Sequence, residues 1–144
     1  LDLAAGLGMR ASEVANAERE HFTRRRVVIH GKGDKTRVVP LPDDVWDEIG
    51  CCPDGPLITH YGHPVDRQWV TSTTSRALTS IGFPRLSLHW FRGAYATRLR
   101  RSGVDTIAIS ALLGHSSAAT TQRYVELDED DLAVAGGRDE VRRR

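Results

Sequence analysis

Residues 26–30 (Arg-Val-Val-Ile-His) and 36–40 (Thr-Arg-Val-Val-Pro) are two β-branched runs separated by Gly31-Lys32-Gly33-Asp34-Lys35. A five-residue link with two glycines and an aspartate is turn chemistry, so the runs pair as an antiparallel hairpin. Around it the pattern is helical. Residues 1–18 carry apolar side chains at helical spacing, and Pro42-Asp43-Asp44 starts a short helix through Val45, Trp46 and Ile49. Residues 55–66 read as a short strand with Leu57 and Ile58, followed by a loop. Residues 68–81 form a helix closed by Gly82 and Pro84. Ser87 caps a helix through Leu99 whose apolar side is Leu88, Phe91, Ala94, Tyr95 and Leu99. Asp105 caps another that Gly114 closes, and Ser116-Ser117 introduce a last one through Val125. The expected fold class is mainly α with a small antiparallel β-sheet, an α+β arrangement.

A chain of 144 residues has room for one ordinary core. With 40% apolar and 27% charged residues it is globular rather than disordered. No apolar run approaches the roughly 20 residues of a membrane helix, and Asp2, Arg10 and Glu13 interrupt the apolar N-terminus, which argues against a secretory signal. The chain opens without a start or a cap, as a domain cut from a longer protein would. The adjacent Cys51 and Cys52 sit too close to bridge one another, and the chain reads as intracellular. Joined to His60 and His63 they lack the gap of about two to four residues that zinc ligands use. They are read as ordinary thiols, with no metal.

Charge is unevenly placed. Residues 1–66 hold 8 basic and 11 acidic side chains, residues 126–144 hold 4 and 7, and residues 67–125 hold 8 arginines against Asp105 alone. Eighteen of the 20 basic residues are arginine, the side chain suited to bidentate phosphate contact. The central stretch therefore has the footprint of a phosphate-binding surface.

Five motifs follow in order: Gly8-Met-Arg10-Ala-Ser-Glu13, Gly31-Lys32-Gly-Asp-Lys-Thr-Arg37, His89-Trp-Phe-Arg92, Leu113-Gly-His115, and Tyr124 nine residues after His115. Together they resemble the catalytic domain of the tyrosine recombinases, the phage integrases and their Xer and Cre relatives. That family's pattern is Gly-Leu-Arg-x-Ser-Glu, Gly-Lys-Gly-x-Lys-x-Arg, His-x-x-Arg, Leu-Gly-His and a tyrosine. Gly93 stands where the family often has histidine, and Trp90-Phe91 replaces a polar-Leu pair; neither position carries chemistry.

The resemblance implies a tyrosine recombinase catalytic-domain fold over 1–127, a C-terminal tail over 128–144 that contacts a neighbouring protomer, and the absence of the family's N-terminal core-binding domain. It also implies cleavage and rejoining of duplex DNA at attachment sites, without metal, ATP or other cofactor. Arg10 and Arg92 hold the non-bridging oxygens, a task that suits parallel guanidinium N–H groups. His89, three residues before Arg92 on one helix, assists proton transfer, and His115 donates to the phosphate. Lys32 protonates the departing 5′-oxygen, and Tyr124 is the nucleophile that forms a 3′-phosphotyrosine. Glu13 orients Arg10, while Lys35 and Arg37 are solvated or touch the DNA backbone. His21, His30, His60 and His63 match no family position. Tyr95 lies on an apolar helix face, and Tyr61 lacks the spacing of a nucleophile.

A phage or mobile-element integrase, assembled as a tetramer on DNA in a bacterial cytoplasm and away from membranes, is the leading expectation. A Xer-type chromosome resolvase, a type IB topoisomerase and a catalytically idle DNA-binding module are the alternatives.

Overall fold

The computed structural model describes residues 1–31, 33 and 35–114. Lys32, the helix expected over 116–125 and the tail over 128–144 lie outside the described residues. The expected N-terminal helical stretch is two helices, α1 (Asp2–Leu7) and α2 (Ala11–Ala15). Gly8 separates them with φ +64°, a left-handed conformation open to glycine at little cost. A Cβ there would also lie 2.6 Å from the ring of Tyr95. The break puts Arg10 in extended conformation at the entry to α2 instead of on a helix face.

A 3-10 turn at Arg19–His21 leads into β1 (Arg26–His30), which pairs antiparallel with β2 (Thr36–Pro40) as expected. Val27 faces Val39 and Ile29 faces Arg37. Val27, Ile29 and Val39 are buried, whereas Val38 on the opposite face is 48% exposed. Helix α3 (Asp43–Ile49) follows and buries Val45.

The strand expected at Leu57-Ile58 is not formed. That segment lies along residues 17–19 through Leu57 N–H to the Ala17 carbonyl and Arg19 N–H to the Gly55 carbonyl, both 2.8 Å. Pro56 has no N–H with which to continue a ladder. Pairing moves on to β3 (Thr59–His60) and β4 (His63–Pro64), joined by Tyr61 and Gly62. Both turn residues have positive φ, as two-residue hairpins require.

Helix α4 (Arg67–Ser80) is capped by Asp66, whose carboxylate accepts from Trp69 N–H at 2.7 Å. Helix α5 (Leu88–Arg101) starts after Ser87, which makes no side-chain capping bond. Helix α6 (Thr106–Leu112) is capped by Asp105 on Ile107 N–H at 2.8 Å, and Gly114 ends it with φ +63°. Helix α1 packs on α5, α2 on α4, and α6 on α5 and β2. Leu7, Val27, Ile29, Val39, Val45, Tyr95 and Leu99 fill the centre. Among the described residues no helix is long and apolar enough to cross a membrane. Cys51 and Cys52 are free thiols.

Candidate active site

The last carbonyls of a helix have no partner within it and carry the negative end of its dipole. At the end of α6 three consecutive carbonyls are met by three arginines from distant parts of the chain. Leu112 accepts from Arg37 Nε at 2.7 Å, Leu113 from Arg92 Nη2, and Gly114 from Arg10 Nη2 at 3.0 Å. Arg92 Nη1 also donates to the Gly8 carbonyl, so the α1–α2 break is tied to the same cluster.

Glu13 completes it. Its Oε1 accepts from Arg10 Nη1 at 2.9 Å and Arg37 Nη1 at 2.7 Å. Oε2 accepts from Arg37 Nη2 and the Arg10 backbone N–H, both at 2.7 Å. Four donors match the roughly four lone-pair directions of a carboxylate. Burial by itself would raise the Glu13 pKa. The hydrogen bonds and charge of Arg37, with the backbone and side-chain bonds of Arg10, outweigh it and bring the pKa down to about 2.

Because the folded pKa lies below the unfolded one, this group stabilises the fold above the unfolded value and loses that contribution as pH falls towards 2. The lowering from 4.5 to about 2 corresponds to about 3 kcal/mol. Urea unfolding at stepped pH should show a decline between pH 5 and 2 that is shallower in Glu13→Gln. Equal slopes in both proteins would mean that Glu13 titrates normally.

Arg92 is 5% exposed. Burial, then the charges of Arg10 and Arg37, lower its pKa to about 10, so it remains a cation at neutral pH. Tyr95 is 2% exposed, and burial raises its hydroxyl to about 12, which suits the core position expected of it. Tyr61 is 91% exposed on the β3–β4 turn.

The structure therefore brings together Arg10, Glu13 and Arg92, to which Arg37 must be added. Arg37 departs from the expected solvated side chain: that side chain is 9% exposed and holds interior partners through all three guanidinium nitrogens. Its signal was the two-residue period of β2, which puts it on the face of buried Val39.

His89 shares α5 with Arg92 one turn away but is exposed, in the first turn of the helix. Lys35 is exposed. Lys32, His115 and Tyr124 lie outside the described residues, but Gly31 before Lys32 and Gly114 before His115 border the cluster. A Cβ on Gly31 would lie 3.8 Å from Glu13 Oε1, and one on Gly114 would lie 3.0 Å from Arg37 Nη1 and 3.5 Å from Arg10 Nη1. The basic stretch also divides. Arg67, Arg76, Arg85, Arg100 and Arg101 are exposed, whereas Arg92 and Arg98 serve backbone carbonyls, Arg98 that of Ala5 at 3.0 Å.

Chemically, the cluster sets three guanidinium groups against one carboxylate, an excess of positive charge suited to a phosphate. Its Arg10 side chain is 40% exposed. The Phage integrase family model matches residues 1–131. Tyrosine recombinase XerC of Bradyrhizobium diazoefficiens is 32% identical over 145 residues, covering 90% of this chain and 45% of that protein. Tyrosine recombinase XerD of Lacticaseibacillus casei is 29% identical over 149 residues, covering 92% and 51%. The integrase from mycobacterium phage Brujita superposes with a TM-score of 0.76 at 25% identity, covering 94% of this chain and 48% of that one. The chain thus spans about half the length of the curated relatives it matches. On the strength of that family match over most of its length, the chain belongs to the phage integrase family, the tyrosine recombinases.

Proposed function

We propose that this chain supplies the catalytic domain, over 1–127, of a site-specific recombinase of the phage or mobile-element integrase type. Its substrate is duplex DNA at paired attachment sites. Tyr124 Oη attacks the scissile phosphorus, and the P–O5′ bond breaks, leaving a 3′-phosphotyrosine and a 5′-hydroxyl. The phenol proton passes towards His89, and Lys32 supplies the proton that the departing 5′-oxygen takes. Arg10, Arg92 and His115 hold the non-bridging oxygens, while Glu13 orients Arg10. The phosphodiester energy is kept in the covalent link, so the 5′-hydroxyl of a partner strand can reverse the step. The assembly is a tetramer on DNA, in which the tail over 128–144 contacts a neighbouring protomer.

The observation that carries this reading is the convergence of Arg10 and Arg92 on the carbonyls of Leu113 and Gly114, immediately before His115 in the chain. A Xer-type resolvase is the second reading, favoured by the XerC and XerD relatives at 29–32% identity.

A nicked duplex that loses its 5′-hydroxyl fragment after cleavage traps the covalent complex. Accumulation of a protein linked to the 3′ side is the expected result, and a chain that binds the duplex without forming it would be an idle binding module. Relaxation of supercoiled DNA without a partner site would point to a topoisomerase. Exchange between two identical sites, with none between non-identical ones, would favour the resolvase.

A further inference from the structure

Arg37 does more than fill a space in the hairpin. Its guanidinium gives both terminal nitrogens to the two oxygens of Glu13 and its Nε to the Leu112 carbonyl, all at 2.7 Å. Arg10 is held from the same two places, by Glu13 and by the Gly114 carbonyl two residues past Leu112. One planar side chain from β2 therefore sets the separation between the start of α2 and the end of α6, and Arg10 spans that separation. A lysine keeps the charge but cannot give three in-plane N–H bonds.

Charge points the same way. Arg10 and Glu13 alone form a neutral pair, in which the carboxylate competes with an incoming phosphate for the guanidinium. Arg37 engages both carboxylate oxygens, and the three groups together carry one net positive charge. We propose that Arg37 is a positioning residue for Arg10: acting through Glu13 and Leu112, it holds the Arg10 guanidinium in place and keeps its charge available to the scissile phosphate. This rests on the recombinase reading.

The test is Arg37→Lys, with two readouts. The first needs no activity: nitrogen-15 NMR of the Arg10 guanidinium in the intact chain should show hindered rotation about the Nε–Cζ bond in wild type and free rotation in the variant. The second is the single-turnover rate of adduct formation at saturating nicked duplex. It should fall about 10-fold or more, while the DNA dissociation constant and its salt slope stay within about twofold. Unchanged Arg10 rotation in a folded variant overturns the proposal. So does an unchanged cleavage rate, or a changed salt slope with the rate at saturation intact, which would make Arg37 a DNA contact.

If wild type forms no adduct but the rotation changes as expected, the recombinase reading fails and the positioning stands. If Arg37→Lys does not fold, the paired Glu13→Gln, Arg37→Gln variant is compared with Glu13→Gln alone by the same two measurements, and equal Arg10 rotation and equal cleavage rate in the two overturn the proposal.

Discussion

Replacing Tyr124 with phenylalanine is expected to abolish covalent attachment to DNA and leave DNA binding in place. The change removes one oxygen and keeps the ring. Without that oxygen no phosphotyrosine can form, so the adduct should drop by more than about 10⁴-fold, to background, on a nicked duplex. Affinity for the same duplex should change little, because phosphate contacts are made by arginines and lysines. Two other tyrosines serve as controls. Tyr61 is 91% exposed on the β3–β4 turn, and Tyr95 is 2% exposed with its hydroxyl held as a neutral phenol up to a pKa of about 12. Tyr61→Phe and Tyr95→Phe should both keep the covalent step, the latter if the protein is stable at the assay temperature. A 3′-linked adduct formed by Tyr124→Phe would overturn the mechanism proposed above.

The second large effect concerns the leaving group. If Lys32 is the general acid, Lys32→Ala should slow cleavage of an ordinary phosphodiester by about 10²–10⁴-fold. A thiolate is a far better leaving group than an alkoxide and needs no proton. On a duplex with a 5′-bridging sulfur at the scissile position, the variant should therefore approach the wild-type rate. A Cβ on Gly31, the residue before Lys32, would lie 3.8 Å from Glu13 Oε1, so the base of this turn borders the arginine cluster. Equal losses on the two substrates would reduce Lys32 to a DNA contact.

Much of the architecture can be read locally. The β1–β2 hairpin, the short α3, the long α4 and α5 and the Asp105-capped α6 all follow from signals within a few residues: turn glycines, capping aspartates and apolar spacing of three and four. Tyr95 falls on the core side of α5 by the same arithmetic. Two features depart from the local reading because distant groups decide them. Gly8 breaks the N-terminal helical stretch where Tyr95 packs against it from α5. Leu57 bonds to Ala17 rather than to a neighbouring strand.

The site divides along the same line. Motif order and spacing single out Arg10, Glu13, His89 and Arg92 without any coordinates. What the arginines do with their hydrogen bonds was beyond local reading, because the partners are remote: Arg10 meets Gly114 across 104 positions, Arg92 meets Gly8 across 84, and Arg37 meets Glu13 across 24. A charged side chain is ordinarily a surface residue, and only a matching set of acceptors brought close by the fold reverses that expectation. Arg37 marks the boundary. The period of β2 puts it on the inward face, but only the packing of α2 and α6 against that face provides the carboxylate and the carbonyl that allow an arginine to be buried there.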